Sequence, residues 1–532
     1  MGRRTISLLL IALSFALSAQ EKYKVPRPLR AEGWPAHVHL RWDGRNGFVY
    51  NIFRYTPEML LPDGTFSSTP EFCATVSSGE YLDFGIGSSE SPRSFVYIVC
   101  PDGISPDSPA AAEFSVRADV PAASDELLLD MIQRYTTAYF TDFAQASTGM
   151  ARERSNDVHG DIVTTGGTGF GIMAVIAGAG RGYHSEEKAV ETIEKIVSFL
   201  ETAERFHGAW AHWYDSDTGK PFSFSRYDDG GDIVETAFLA AGLLTARQWL
   251  SGNGNDGLAR RCDALWRGIE WSWYTKGEDE TLYWHWSKNF GWKMNHRIKG
   301  FDETLITYIL AASSPTWPID RKVYESGYKT SPYYWNKESY YNLPIYIGMA
   351  YGGPLFFTHY SFLGLNPHGL KDASTDYFTR NRNHVLIHRL YAIDNPGGFA
   401  GYGENLWGFT SSDDPLAGYT SHHPMTRDDN GTVSPTAAVS SIVYAPEEVM
   451  EVIRHFYYDL GEELFGRYGF YDAYNPSMCE GQRVVRSYLA IDQGPQAVMI
   501  ENYRSGLIWK LFMSCPEIAA GLEKLGFTTI NY

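Results

Sequence analysis

The sequence predicts a mostly helical protein in which a small all-β sandwich precedes an (α/α)6 toroid, a ring of six helical hairpins. Up to about residue 120, apolar residues fall in short strand-like runs separated by Gly, Pro, Ser and Asp. From there on they recur at helical spacing, in about twelve segments. Segments that are apolar nearly all round alternate with segments that carry one charged face, as the inner and outer helices of a ring do.

The length of 532 residues exceeds one comfortable hydrophobic core, so two domains are expected. We predict a β-sandwich at 20–120 and a helical domain at 121–532, after a signal peptide at 1–19. The β region resembles a fibronectin type III-like module in its Pro-rich opening, its Trp42 strand and its turn at Pro101–Pro109. That resemblance indicates a fold and leaves the role of the domain open.

The first residues have the pattern of a secretory signal peptide. Arg3 and Arg4 precede an apolar run at Ile6–Leu17, which is followed by the small pair Ser18-Ala19. The run is too short to span a membrane, and no later stretch reaches that length, so we expect no membrane insertion. We therefore expect an exported protein, in the periplasm of a Gram-negative bacterium in preference to the extracellular space.

Composition and charge narrow the classes of partner. The net charge of −18 disfavours nucleic acid, anionic membranes and polyanionic substrates. Aromatic residues make up 15% of the chain, which suits either a large helical core or platforms for sugar rings. Five cysteines are too few for a disulfide scaffold; Cys73 and Cys100 could pair or remain buried thiols.

Three acidic patches share one context, a loop that turns into an apolar helix. They lie in Tyr227–Leu244, Lys299–Ala311 and Leu489–Tyr503. A helix N-terminus attracts anions, so a single such patch means little. Three patches suggest helices that aim their N-termini at a shared cavity, as a sugar-cleaving site would need.

The first and third patches each have a structural alternative. Asp232 and Glu235 have the spacing of a helix capping box, which leaves Asp228 without an explanation. Asp492 could also cap a helix, but Gly494-Pro495 is expected to delay the start of that helix. A functional role for Asp492 is therefore favoured over a cap.

In the second patch, one of Asp302 and Glu303 can cap the helix while the other faces the cavity. A carboxyl group beside apolar walls such as Phe301 and Trp292 would have a raised pKa, which a general acid requires.

Long aromatic-rich loops interrupt the helices at Phe206–Asp229, Tyr283–Gly300 and Gly398–Pro424. Loops of this length in a compact domain are usually functional or disordered, and their Trp and Tyr content argues against disorder. We expect them to wall a cleft. Five of their aromatic residues lie outside helical core spacing and are candidates for sugar contact: Trp210, Trp213, Trp292, Tyr402 and Trp407.

Other chemistries lack support in the sequence. The glycine string Gly166–Gly171 has no strand-helix-strand context and no following Lys, so it indicates close helix packing and no nucleotide site. His207 with His212, and His422-His423, do not have metal-ligand spacing, and no metal or cofactor is expected. There is also no GxSxG nucleophile elbow.

As an ordered set, seven segments between Gly166 and Trp509 resemble glycoside hydrolase family 144, a glucoamylase-like group. They are GGTGFG, FHGAWAHWYD, DDGGDIVETAFL, FDETLITYIL, YGGPLFFTHYSF, GYGENLWGFTSSD and DQGPQAVMIENYRSGLIW. The resemblance implies an (α/α)6 barrel without a cofactor that acts on β-1,2-linked glucans. Family members are endo-glucanases or exo-acting enzymes that release sophorose, and some carry an extra N-terminal β-domain.

The resemblance also implies roles for residues. Glu303 matches the general acid and Asp492 the general base of an inverting mechanism, with Asp228, Asp232 and Glu404 as alternatives for the base. The expected substrate-binding residues are Asp228, Asp232, Glu235, Trp210, His212, Trp213, Trp292, Tyr402, Glu404 and Trp407.

The function expected from the sequence is therefore an exported, monomeric glycoside hydrolase that acts on a β-glucan or its oligosaccharides, with β-1,2 linkages favoured. Endo and exo action both remain open. The alternatives are a hydrolase of another glucan linkage, a polysaccharide lyase and a non-catalytic glycan-binding protein. Lyases act on uronates, for which a chain with a net charge of −18 is a poor host.

Overall fold

The computed structural model describes residues 28–530 apart from 45–47, 62–65, 108, 157–159, 279, 426 and 428. The predicted signal peptide lies outside the described residues. The chain divides into two compact units, Met1–Leu128 and Leu129–Tyr532. None of the described helices is both long and apolar enough to cross a membrane.

The first unit consists of two antiparallel sheets. Its strands are β1 (Arg30–Gly33), β2 (Val38–Arg41), β3 (Tyr50–Tyr55), β4 (Glu71–Val76), β5 (Glu80–Asp83), β6 (Arg93–Pro101) and β7 (Ser115–Val120). One sheet has the order β1-β2-β5 and the other the order β4-β3-β6-β7. Val38 and Leu40 of the first sheet share a buried core with Ile52 and Val99 of the second. The likeness to fibronectin type III modules stays a prediction.

The cysteines of the first unit do not form a disulfide. Cys73 and Cys100 are both free thiols, and so are the three cysteines of the second unit. Burial raises the pKa of Cys73 to about 12 and that of Cys100 to about 11. Both thiols are therefore protonated and poorly reactive at neutral pH.

From Asp125 onward the described chain is mostly helical, as predicted. Its α-helices are α1 (Asp125–Thr141), α2 (Thr165–Gly180), α3 (Glu186–Thr202), α4 (Ile233–Gly252), α5 (Asp256–Arg267), α6 (Leu305–Ser313), α7 (Tyr377–Asp394), α8 (Pro435–Ser440), α9 (Pro446–Arg454), α10 (Gly461–Leu464), α11 (Ala490–Arg504), α12 (Leu507–Met513) and α13 (Pro516–Leu525).

The inner helices pack side by side around a centre. Helix α2 packs against α4, α4 against α6, α8 against α11, and α11 against α2. Between α6 and α8 the inner position is taken by 3-10 helices at Leu355–Thr358 and Tyr360–Phe362, the second of which packs against α6. His359 Nε2 lies 3.0 Å from Ser441 Oγ, just after α8, so the inner elements form a closed circuit. One of the about twelve helical segments expected from the sequence, near Pro354–Leu365, thus consists of 3-10 helices and not of an α-helix.

Outer helices cover the inner ones: α3 packs on α2, α5 on α4, and α9 on α8. The glycine string at the start of α2 explains how the first two inner helices approach so closely. A Cβ on Gly169 would lie 2.2 Å from the backbone oxygen of Phe238, and one on Gly242 would lie 2.4 Å from the oxygen of Gly169. The prediction that these glycines serve helix packing is confirmed.

Helix α11 begins earlier than the sequence indicates. It begins at Ala490 and contains Pro495, so Asp492 lies in its first turn and the predicted delay of the helix is wrong. It ends at Arg504, because Gly506 adopts a left-handed conformation with φ of 69° and starts α12 in a new direction. The two C-terminal helices α12 and α13 pack against α4 and α6.

Short antiparallel strands order the loops of the second unit. They are β8 (Ile162–Thr164), β9 (Trp213–Asp215), β10 (Pro221–Phe222), β11 (Gly231–Asp232), β12 (His285–Trp286), β13 (Trp335–Tyr340), β14 (Leu343–Ile347), β15 (Ser411–Asp414), β16 (Gly418–Ser421), β17 (Phe465–Gly466), β18 (Gly469–Phe470), β19 (Ala473–Tyr474) and β20 (Val484–Val485). The pairing of β11 with β12 connects two of the long aromatic-rich loops.

Candidate active site

The three acidic helix starts converge on one tyrosine. The Tyr360 hydroxyl lies within electrostatic reach of Glu235 at the start of α4, Glu303 before α6 and Asp492 in the first turn of α11. Burial and these charges raise the pKa of Tyr360 well above its ordinary value, so the phenol stays protonated and can donate a hydrogen bond.

Asp232 caps α4 and is held by four donors. Its Oδ1 accepts from the backbone N–H groups of Val234 and Glu235, both at 2.9 Å. Its Oδ2 accepts from Trp284 Nε1 at 3.0 Å and from His212 Nδ1 at 3.2 Å. Burial would raise the pKa of Asp232, but these donors outweigh burial and lower it. The carboxylate is therefore ionised and fixed in place.

The capping box is half formed. Glu235 does not accept from the backbone N–H of Asp232, which donates to the oxygen of Trp210 at 2.8 Å. Its Oε2 instead accepts from the backbone N–H of Gly166 at 2.8 Å, at the start of α2. Burial raises the pKa of Glu235 to about 7. This carboxyl group thus connects two inner helices and exchanges its proton near neutral pH.

His212 is an imidazolium among carboxylates. Burial opposes its protonation, but the charges of Glu235, Asp232 and Asp228 outweigh burial and raise the pKa of His212 to about 10. The ring of Phe224 stacks on it, with centroids 4.3 Å apart. The protonated ring supplies a positive charge that partly balances the acidic cluster.

Asp228 holds an oxygen that lacks a hydrogen-bond donor. Its Oδ1 is buried, and no donor reaches it among the described residues. His285 Nε2 lies 3.3 Å away but already accepts from the backbone N–H of Gly230 at 3.0 Å. Burial, with the charge of Asp232, raises the pKa of Asp228 to about 7. An oxygen in this state suits a donor that a ligand brings, such as a sugar hydroxyl.

Asp228, Asp232 and His212 also have the spacing of a metal site, since one ligand atom from each lies within 4.8 Å of the others. An imidazole binds a metal through an unprotonated nitrogen. His212 Nδ1 donates to Asp232 Oδ2 at 3.2 Å, and against burial the neighbouring carboxylates raise the pKa of His212 to about 10. In this state the three residues form an ion pair with an adjacent acid.

Glu303 lies two residues before α6. Its backbone oxygen accepts from Ser361 Oγ at 2.5 Å, which anchors the turn to the neighbouring inner segment. Burial, reinforced by the charge of Asp302, holds the pKa of Glu303 well above its ordinary value. Asp302 itself accepts from the backbone N–H of Thr304 at 2.9 Å and from its hydroxyl. Asp302 therefore orders the turn, while Glu303 is a protonated acid at neutral pH.

Asp492 is paired with a second carboxyl group. Asp472, which follows β18, is a hydrogen-bond partner of Asp492, and its Oδ2 also accepts from the backbone N–H of Asp413 at 2.6 Å. Among the described residues, no donor reaches Asp472 Oδ1 or Asp492 Oδ2, although both atoms are buried. Burial raises the pKa of Asp472 to about 7 and that of Asp492 well above its ordinary value. One proton held between the two groups supplies the missing donor.

Further charged groups surround this pair. Arg154 Nη1 donates to Asp413 Oδ1 at 2.7 Å, and Ser487 Oγ donates to Asp413 Oδ2 at the same distance. Trp213 Nε1 donates to Glu153 Oε2 at 3.2 Å. Sequence reasoning did not select Glu153, Arg154, Asp413 or Asp472, since none of them lies at the start of an apolar helix.

The aromatic candidates divide between the site and the core. Trp213 is half-buried and contacts the ring of Phe224, so it lies beside His212. Trp210 and Trp407 are fully buried, so protein atoms cover both faces of each ring. This placement corrects the expectation that Trp210 and Trp407 contact sugar.

Three other candidates contact residues outside the carboxyl cluster. Tyr402 is buried and donates to Asp429 at 2.7 Å. Glu404 is exposed and accepts from Arg389 of the outer helix α7 at 2.7 Å. Trp292 packs against Tyr283 and other aromatic rings of a separate cavity. The substrate-binding roles of these three residues stay predictions.

Comparison with known proteins gives a consistent family. A family model described as "Putative glucoamylase" matches residues 295–516. An exo β-1,2-glucooligosaccharide sophorohydrolase (non-reducing end) from Parabacteroides distasonis is 41% identical over 432 residues, which is 77% of this chain. The chain spans 59% of the length of that curated relative.

Solved structures extend the match over both units. An endo-β-1,2-glucanase from Chitinophaga pinensis, in complex with sophorotriose and glucose, is 48% identical with a TM-score of 0.74; the match covers 77% of this chain and 99% of that one. A β-1,2-glucanase from Parabacteroides distasonis is 36% identical with a TM-score of 0.82 and covers 95% of this chain and 74% of its own. The chain therefore belongs to the glucoamylase-like family of glycoside hydrolases.

Proposed function

We propose that the protein is an exported hydrolase of β-1,2-linked glucans or glucooligosaccharides. The observation that carries the proposal is the gathering of Glu235, Glu303 and Asp492 around Tyr360, which places an acid with a raised pKa among other carboxyl groups. The β-1,2-glucan activities of the relatives from Parabacteroides distasonis and Chitinophaga pinensis support the linkage.

Glu303 is the general acid of the proposed reaction. A general acid has to hold its proton at the working pH and release it to the glycosidic oxygen as the bond breaks. Burial and the neighbouring charge of Asp302 keep Glu303 protonated. When the leaving sugar takes the proton, the new carboxylate lies near the Tyr360 hydroxyl, which can donate to it.

Asp492 is the general base, and Asp472 enables that role. A base has to be ionised, whereas burial favours its neutral form. At rest the proton of the pair lies on Asp492, because burial and Asp472 raise the pKa of Asp492 further than that of Asp472. Transfer of this proton to Asp472 across their hydrogen bond ionises Asp492 for the reaction. Asp492 takes a proton from water through a substrate hydroxyl, the water oxygen bonds to the anomeric carbon, and the leaving oxygen takes the proton of Glu303. The anomeric configuration inverts.

The first acidic patch holds the substrate. Asp232 is ionised but fully engaged by donors, so it organises the patch. Asp228 Oδ1 lacks a donor and Glu235 titrates near neutral pH, so these two can accept bonds from sugar hydroxyls. His212 offers a positive donor beside them. No step of this mechanism uses a cofactor.

The remaining expectations belong to the same proposal. The inner circuit with its outer helices is the (α/α)6 barrel of the family, and the two sheets of the first unit are a fibronectin type III-like sandwich. The protein acts as a monomer in the periplasm.

Product analysis tests the proposed function. Purified protein is incubated with β-1,2-, β-1,3-, β-1,4- and α-1,4-glucans, with Glu303→Gln as the inactive control. We expect products from β-1,2-glucan alone, with the inverted anomer in early NMR spectra. Sophorose as sole product indicates exo action, and a range of lengths indicates endo action. An unsaturated product that absorbs in the near ultraviolet, or binding without turnover, would overturn the proposal.

A further inference from the structure

A second cavity of the helical unit is lined by three tryptophans. The cavity has a volume of about 350 Å³, and its walls include Trp273, Trp292 and Trp317 together with Glu270, Ser272 and Lys276. No carboxyl group of the candidate active site lines it. We refer to these six residues as the tryptophan pocket. Its volume is at the lower end of the range for small-ligand sites.

Two of the indole rings are unusually exposed. Trp273 is 40% exposed and Trp317 is 45% exposed. Single exposed aromatic residues are common on soluble proteins and need no explanation. Tryptophans that gather around one concave surface are different, because such apolar patches usually mark a binding site.

The rings are held in place from behind. His207 stacks on Trp273 with centroids 3.6 Å apart and an angle of 16° between the planes, so one face of the indole is covered and the other is left for the cavity. The Trp292 ring lies 6.3 Å from Trp273 at an angle of 31°. The backbone N–H of Ser272 donates to the oxygen of Trp317 at 3.2 Å, which joins the two segments. The platform is therefore ordered before any ligand arrives.

The polar groups of the pocket balance in charge. Glu270 Oε2 is bound to His207 Nδ1 at 2.9 Å, and its carboxylate is partly exposed. Lys276 Nζ lies 3.9 Å from Glu278 Oε1 and is also partly exposed. The pocket thus offers a carboxylate that accepts hydrogen bonds and an ammonium that donates them. This pairing favours a neutral, hydroxyl-rich ligand over an ion.

We propose that the tryptophan pocket is an accessory binding site for a glucan chain, separate from the candidate active site. The apolar faces of pyranose rings would pack on Trp273 and Trp317, and their hydroxyls would bond to Glu270 and Lys276. The identity of the glucan rests on the proposed function. The site would hold a long chain on the enzyme surface and would leave the cleavage of short substrates unaffected.

Affinity electrophoresis in gels that contain β-1,2-glucan tests the proposal. Trp273→Ala and Trp317→Ala are compared with Trp335→Ala, which removes a tryptophan of similar exposure (42%) on β13, outside the pocket. We expect about fivefold weaker retention for each pocket variant, the loss of one aromatic contact. The Trp335→Ala variant should migrate like the wild type, and kcat/KM on a short β-1,2-glucooligosaccharide should stay within about twofold for all three.

Three results would overturn the proposal. The first is equal retention of the wild type and the pocket variants. The second is a parallel loss of kcat/KM on the short substrate, which would make the pocket part of the catalytic cleft. The third is a wild-type dimer on size-exclusion chromatography that Trp317→Ala converts to a monomer, which would make it an interface. If Trp273→Ala melts at a lower temperature than the wild type, Trp273→Phe is used in its place. This variant keeps a smaller ring and should give retention between those of the wild type and Trp317→Ala.

The test separates this proposal from the proposed function. Retention in the gel requires binding and no turnover. If the wild type fails to cleave β-1,2-glucan, the same gels are run with β-1,3-, β-1,4- and α-1,4-glucans. Retention by one of them that depends on Trp273 and Trp317 would keep the accessory site while the linkage is revised. If retention by none of the glucans depends on Trp273 and Trp317, the accessory site is rejected, and the proposed function is not affected.

Discussion

Asp472 and Asp492 are two buried carboxyl groups that form a hydrogen-bonded pair in the candidate active site. Two negative charges cannot both be buried at close range without a large cost, so the pair holds one proton near neutral pH. Asp472 also accepts a backbone bond from Asp413, which fixes its orientation. This arrangement gives Asp492 a defined position and makes its ionisation depend on its neighbour.

The first prediction concerns Asp472→Asn. The amide can still donate to Asp492, but the shared proton and the second negative charge are gone. The pKa of Asp492 should therefore fall, and the acidic limb of the kcat/KM profile should move to lower pH. Asp472→Ala removes the donor as well and should lower kcat about 10- to 100-fold. Acidic limbs that coincide for the wild type and Asp472→Asn would show that Asp472 has only a structural role.

The second prediction concerns Glu303→Gln. Loss of a general acid should lower kcat at least about a hundredfold on β-1,2-glucooligosaccharides. Stability at pH 7 should be kept or raised, because glutamine resembles the protonated carboxyl that burial already enforces. The measurement is kcat together with a thermal melt. Glu451→Gln, at an exposed carboxylate of the outer helix α9, is the matched control and should retain wild-type kcat.

Much of the architecture follows from local patterns in the sequence. Helical periodicity and the apolar character of the inner segments indicated the helical unit, and the acids at helix starts indicated Asp232, Glu303 and Asp492. Helix N-termini are readable because capping chemistry is local, as the Asp232 bonds to Val234 and Glu235 show.

Other features depend on contacts between distant segments. Asp472 lies in a loop after β18, and only folding brings it to Asp492. Trp210 and Trp407 lie in polar loops, yet the loops fold back and bury them completely. Periodicity cannot detect such burial, because a loop residue has no regular face. The break after Arg504 depends on the conformation of a single residue, Gly506, which helical periodicity does not report.

The third prediction is that stability falls as pH rises from 7 to 8.5. The pKa values of Asp228, Glu235 and Asp472 are raised to about 7, above the ordinary carboxyl range near 4. Between pH values near 4 and about 7, the folded state holds protons on these carboxyl groups that the unfolded state has lost. The raised pKa of His212, about 10, acts in the same direction above 6.5. Each proton that the folded state holds in excess of the unfolded state lowers the free energy of unfolding by about 1.4 kcal/mol for each unit that the pH rises.

Buried histidines oppose this trend only at lower pH. Burial lowers the pKa of His359 to about 3 and also lowers those of His384 and His388, so near and below pH 6.5 the unfolded state binds protons that these folded histidines do not. Thermal melts at half-unit steps from pH 7 to 8.5, above that range, check the prediction. Glu235→Gln should reduce the slope, since one of the titrating groups is removed. A midpoint that rises with pH across this window would contradict the assignment of protonated carboxyls.

The last prediction concerns the contact between α2 and α4. In Gly169→Ala the new Cβ would lie 2.2 Å from the backbone oxygen of Phe238, an atom that cannot move aside as a side chain can. The two inner helices that carry Gly166 and Glu235 would have to separate, which should lower stability by about 3 kcal/mol or more and reduce kcat, because Glu235 would lose its bond to Gly166. Gly252→Ala, at the other end of α4, is the control.

No atom lies within 4 Å of the Cβ position at Gly252, so Gly252→Ala should be neutral or should stabilise the protein by up to about 1 kcal/mol. Thermal melts and kcat on the two variants, measured in parallel, decide the matter. If Gly169→Ala melts with the wild type, the close approach of α2 and α4 is not required. If it melts early but keeps full kcat, the bond between Glu235 and Gly166 does not organise the site. Only a loss of both melting temperature and kcat in Gly169→Ala supports a packing contact that also positions the acidic patch.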